Sequence, residues 1–95
     1  MPEMRFIVRW PDGVLESCYS PSLVVREHMA VGESYPVGDF VSRSRTALEI
    51  ASERVREKYG FACSSALDQL ARIEERASGF AGAADARVAV LSFED

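Results

Sequence analysis

DFVSRSRTALEIASERVREKY, residues 39–59, is the longest cleanly periodic segment of the chain. Phe40, Ser44, Ala47, Leu48, Ala51 and Val55 recur at steps of three and four, and Tyr59 continues the row. That spacing lays them along one stripe of an α-helix. Arg43, Arg45, Glu49, Glu53, Arg54, Arg56, Glu57 and Lys58 fall mostly off the stripe and form a charged outer face. Asp39 stands where its carboxylate can cap the first turn. Gly60 follows where a left-handed C-terminal cap belongs, with Phe61 as the apolar contact that accompanies such caps.

Outward from this helix, the N-terminal side reads as β-structure. Met4, Phe6, Val8 and Trp10 alternate with Arg5, Ile7 and Arg9, the pattern of a half-buried strand. Pro11-Asp12-Gly13 supplies turn chemistry, and Val14 to Tyr19 follows as a second strand, so residues 3–20 predict a hairpin. A lone hairpin is marginal in water and needs cover. Ser20-Pro21-Ser22 resembles a helix start, and a short helical turn is expected over residues 21–28. Gly32, Pro36 and Gly38 mark residues 32–38 as a loop.

On the C-terminal side, Ser64 or Ser65 begins a second helix whose expected stripe is Leu67, Leu70, Ile73, Ala77 and Phe80. The Gly/Ala-rich segment from Gly79 to Ala86 is expected to be a mobile loop. Arg87 to Phe93 closes the chain as a strand, with Val88 and Val90 on one side and Ala89, Leu91 and Phe93 on the other. Apolar residues on both sides mean a strand covered twice, or one face that meets a partner. The expected fold is α+β: a small three-stranded sheet, made of the hairpin and the final strand, with two amphipathic helices on one face.

Ninety-five residues suit one domain, 1–95, and are too few for two. A hydrophobic share of 47% and a charged share of 27% match an ordinary globular domain. The net charge of -4 repels a phosphate backbone, which argues against a nucleic-acid binder. All basic residues but Lys58 are arginine, which reads as the codon bias of a GC-rich genome rather than a phosphate-binding array. MPEMRF lacks the apolar core of a signal peptide, and no run nears the roughly 20 apolar residues of a membrane span. These features predict a cytoplasmic protein with Cys18 and Cys63 reduced.

Chemistry-bearing patterns are sparse. Cys18 with His28, the only histidine, could form a thiolate–imidazole pair, and with Cys63 the three could ligate a metal. Neither reading has a CxxC or HxxxH spacing behind it, and buried structural cysteines are the plainer account. The glycines match no phosphate-binding fingerprint. Glu49, Glu53 and Glu57 stand four apart, as a solvated helix face would place them. Arg5 and Arg9 flank Ile7 on the outward side of the first strand. This strip reads as charge protecting the sheet edge, as a surface for an acidic partner, or as a contact for single-stranded nucleic acid, the last opposed by the acidic balance. Tyr19, at the hairpin's end, is an interface anchor or a rim contact.

The blocks MPEMRFIVRWPDG (1–13), CYSPSLVV (18–25) and SYPVGDFVSRSRTALEIASERVREKYGFACS (34–64) resemble a family of small bacterial nitrogen starvation response proteins. That family is encoded beside a nitrilase, an acetyltransferase, a radical-SAM protein and a flavoprotein. The resemblance implies a role in nitrogen stress, in assimilation of nitriles or cyanide, and brings no catalytic residue and no cofactor. The expectation is a non-enzymatic accessory protein that binds a neighbouring enzyme or itself through an outward sheet face. Ile7, Arg9, Tyr19, Val88 and Val90 are its candidate contacts, with no membrane or nucleic acid involved. The alternative is a small metal- or thiol-dependent enzyme or ligand sensor using Cys18, His28 and Cys63.

Overall fold

A computed structural model describes residues 3–83 and 85–94. The alternating segment forms β1 (Met4–Arg9), and the turn at Pro11-Asp12-Gly13 returns the chain as β2 (Leu15–Ser20). Gly13 holds the turn at φ 87° and donates to the Trp10 carbonyl over 2.8 Å, while the Asp12 carboxylate accepts from the Val14 amide over 3.1 Å. The two strands pair antiparallel from Met4 opposite Ser20 to Arg9 opposite Leu15. The expected helical turn is a 3-10 helix, Leu23–Glu27, whose N-cap Ser22 accepts from the Val24 amide.

The sheet has four strands, one more than expected, in the order β2-β1-β4-β3. The additional strand is β3 (Ser34–Pro36), inside the segment read as a loop. It pairs antiparallel with β4 (Arg87–Glu94), Ser34 facing Ala89 and Pro36 facing Arg87. Pro36 fits there because β3 is an edge, and a missing N–H is tolerated at edges. β4 lies antiparallel to β1 on the side away from β2. A bulge interrupts that ladder: Val8 faces Val90, yet Ile7 faces Ser92, which leaves Leu91 as the extra residue. The shift turns Phe93 opposite Phe6 and onto the core side, where strict alternation had placed it with Ala89 and Leu91.

The main helix, α1 (Val37–Tyr59), starts two residues before Asp39. Pro36 occupies the N-cap position, so Asp39 caps nothing; it sits in the first turn and pairs with Arg43 at 3.0 Å. Its carboxylate still complements the positive end of the helix dipole. The C-terminal end follows expectation: Gly60 is left-handed at φ 87°, and its N–H donates to the Arg56 carbonyl over 2.8 Å. Phe61 does not make the accompanying contact and is 69% exposed. α2 (Ser64–Ser78) has Cys63 as its N-cap residue and no side-chain cap from Ser64 or Ser65. The buried positions of α2 are Ala66, Gln69, Leu70, Ile73 and Ala77, while Leu67 faces solvent.

Both helices cover one face of the sheet. Phe6, Val8, Cys18, Val88 and Val90 from the strands meet Phe40, Ala47, Leu48, Ala66, Leu70 and Ile73 from the helices in one buried cluster. Trp10 is its largest fully buried side chain; Phe40 meets it edge-on with ring centroids 5.5 Å apart, and Phe80 stacks on it at 6.1 Å. Each fully buried large apolar side chain contributes roughly 1.5–3 kcal/mol over its exposed state. Residues 79–83 run as successive turns, with Phe80 bonded to the Ala77 carbonyl and Ala83 to that of Phe80. Ala84, within the segment expected to be mobile, lies outside the described residues.

Candidate functional site

The face of the sheet away from the helices has no element packed on it among the described residues, and cross-strand register arranges it in rows. Ile7 stands at the centre, half-buried, between Ser17 on β2 and Ser92 on β4. Arg9 lies between Leu15 and Ala89, with Leu15 57% exposed. Arg5 lies between Tyr19 and Glu94. The result is Ile7 between two serines at the centre, Arg9 between Leu15 and Ala89 at one end, and Arg5 between Tyr19 and Glu94 at the other. Among the described residues, neither Arg5 nor Arg9 belongs to an ion pair.

Tyr19 is half-buried on this face. The Arg5 guanidinium lies 5.8 Å from its ring centroid, and its hydroxyl donates to Glu3 Oε2 over 3.1 Å. Burial, together with the hydrogen bond to the Glu3 carboxylate, raises the phenol's pKa above its ordinary value. It is therefore a donor at neutral pH.

Val88 and Val90, expected on this outward face, are instead fully buried under the helices. Each is held there by its inward-facing partner, Val90 by Val8 of β1 and Val88 by Tyr35 of β3. The outward residues of β4 are those between and beyond them, Ala89 and Ser92.

Cys18, His28 and Cys63 do not converge. Cys18 is buried on the core side of β2, opposite Phe6. Burial foremost, and then the charge of Glu16, pushes its thiol well above the usual range, which favours the protonated form. His28 ends the 3-10 helix, where its carbonyl accepts from Arg43 Nη1 over 2.7 Å. Cys63 is half-buried at the start of α2. Among the described residues no three His, Cys, Asp or Glu side chains are grouped to hold a metal ion.

A polar assembly that sequence reasoning missed joins α2 to the hairpin. Glu16 Oε1 accepts from Trp10 Nε1 over 2.9 Å and from Arg76 Nε over 3.0 Å, and Oε2 accepts from Gln69 Nε2 over 3.4 Å. Gln69 Oε1 in turn accepts from the Tyr19 amide over 3.0 Å. A helix side chain thus satisfies an outward N–H on the edge strand β2, a group that would otherwise invite pairing with another chain. The signal was a glutamine at a buried position of α2, which demands a polar partner.

The four-stranded antiparallel sheet and its one-sided helical cover define a small α+β protein. A family model described as nitrogen starvation-induced protein NitG matches residues 5–93, and the chain belongs to that family. Membership ties it to nitrogen starvation. Comparison with curated proteins and with solved structures returns no match. No helix among the described residues is long and apolar enough to cross a membrane.

Proposed function

We propose that the chain is a non-enzymatic accessory protein of the nitrogen starvation response that binds a protein partner through its bare sheet face. The observation that carries this reading is the outward row of β1, Ile7 between Arg5 and Arg9, two arginines that belong to no ion pair among the described residues. Apolar centres with a charged rim and an accessible tyrosine are the anatomy of a protein interface.

Charge indicates the partner's chemistry. A two-fold pairing of this face with itself brings arginines toward arginines, which like-charge repulsion opposes. Pairing it with the row of Glu49, Glu53 and Glu57 on α1 in a second copy is head-to-tail and does not close. The fitting occupant is a different protein that offers an apolar knob ringed by carboxylates. The family resemblance makes an enzyme of the same gene cluster, the nitrilase first, the natural candidate. The test is co-purification of the tagged chain with the nitrilase, beside light scattering of the chain alone. Binding that disappears in Ile7→Asp and Arg9→Glu supports the reading. A strict monomer that binds none of the cluster's proteins overturns it, as does self-association through the same face.

A further inference from the structure

Where α2 runs beside the edge of β2, a polar groove of about 380 Å³ opens. Gln69 closes its floor through the bond to the Tyr19 amide. Ser17 and Tyr19 form one wall, Ser65, Asp68 and Arg72 the other, and Arg5 reaches in from the sheet face. Past Arg72 the groove continues into a second hollow of about 420 Å³ at Glu16, Glu75 and Arg76. Arg76 is committed there to Glu16 at 3.0 Å. Arg72, shared by both hollows, belongs to no ion pair among the described residues, and neither does Arg5.

The groove therefore offers two guanidiniums to an anion, supplied by separate elements, and places a carboxylate beside them. Guanidinium forks match carboxylate and phosphate oxygens alike. Asp68 separates the two: it repels a dianion such as phosphate and attracts an ammonium. A ligand with one carboxylate and one ammonium a few bonds apart satisfies both walls, and the Ser17 and Ser65 hydroxyls serve either end. The volume lies at the lower end of small-molecule sites, about 300–1,000 Å³. We propose that this groove binds a free α-amino acid, its carboxylate on Arg72 and Arg5 and its ammonium on Asp68. This site adjoins the partner surface, and Arg5 and Tyr19 border both.

The test is an amide-resolved NMR titration of the full chain, with L-glutamine as the zwitterionic probe and sodium acetate and inorganic phosphate as comparisons. The expected result is saturable shifts at Ser17, Tyr19, Ser65 and Arg72, with glutamine bound at least about tenfold tighter than acetate or phosphate. Arg72→Ala weakens glutamine at least about tenfold, because a charge-assisted contact is lost. Asp68→Asn removes the preference over acetate. Both positions are exposed, so both variants fold, and circular dichroism checks it. Ile7→Asp leaves the titration unchanged, so this site and the partner surface fail separately. Absence of localised shifts at millimolar glutamine overturns the proposal, and so does acetate or phosphate binding as tightly as glutamine.

Discussion

Ser44 lies on the buried stripe of α1, and its hydroxyl is a buried side-chain polar atom with no hydrogen-bond partner. A buried, unpaired hydroxyl costs roughly 1–3 kcal/mol of desolvation. Alanine keeps the small volume and removes the polar atom, so Ser44→Ala is expected to raise stability by about 1 kcal/mol in urea unfolding. The periodicity of residues 39–59 made Ser44's burial legible, but whether its oxygen finds a partner depends on neighbours from other elements. Cys18 shows the same limit from the opposite side. Its place in a strand was readable, while the choice of core face came only from its pairing with Phe6. Burial raises its pKa from the ordinary 9.0, and that of Tyr19 is also raised. In alkaline solution the unfolded chain releases protons that the folded chain keeps. Stability is therefore expected to be level up to about pH 9 and to fall as pH rises further. Cys18→Ala should flatten that alkaline slope in unfolding measured from pH 8 to 10.5. In native protein Cys63 is expected to react with a thiol reagent while Cys18 reacts only after denaturant is added.

Elements were easiest to read where local chemistry alone decides them. The left-handed position that ends α1 takes glycine because a side chain there would strain the backbone, and the sequence supplies Gly60 at that point. Gly60→Ala is expected to cost about 1 kcal/mol, measured by thermal unfolding, with open space around the new methyl leaving backbone strain as the sole cause. β3 was not legible. Three residues carry no alternation, and the flanking Gly32 and Gly38 speak for a loop. What makes Ser34–Pro36 a strand is the unpaired edge of β4, about fifty residues away. The bulge at Leu91 was equally invisible, since it exists only against β1. The tie between α2 and β2 follows the same logic, with a magnitude attached. Glu16 is the acceptor for three donors, two of them on α2. Glu16→Ala leaves the buried Trp10 N–H without its acceptor and is expected to cost about 2 kcal/mol. Gln69→Ala frees the Tyr19 N–H, and hydrogen exchange at Tyr19 should quicken more than at Cys18 on the same strand.

For the whole molecule, the issue is why an acidic chain keeps arginines on its one bare face. Net charge is -4, yet Arg5 and Arg9 bracket Ile7 where no helix covers the sheet. The arginines on the helices are largely engaged: Arg43 with Asp39, Arg45 with Glu74, Arg56 with Glu53 and Arg76 with Glu16. Arg45 thus reaches across to α2 while still lying within electrostatic reach of Glu49 on α1. Arg5 and Arg9 on the sheet face belong to no ion pair among the described residues, although Glu94 stands opposite Arg5. Alternation placed Ile7 and Arg9 on the outward side of β1, whereas Tyr19 was singled out by its position at the hairpin's end and its face follows from its pairing with Arg5. Sequence reasoning misplaced Val88 and Val90 because β4 is apolar on both sides, and only packing tells which side the helices cover. Steering by such arginines is long-ranged and screened by salt, with a Debye length of about 10 Å at 0.1 M. Partner association should therefore slow several-fold between about 0.05 and 0.3 M salt, while dissociation, set by the desolvated Ile7 contact, changes little. Arg9→Glu should reduce the association rate and its salt dependence together. Ile7→Ala should speed dissociation at every salt concentration. Surface plasmon resonance with the co-purified partner reads both rates. If Arg9→Glu left association unchanged across that salt range, the sheet face would have no part in the encounter.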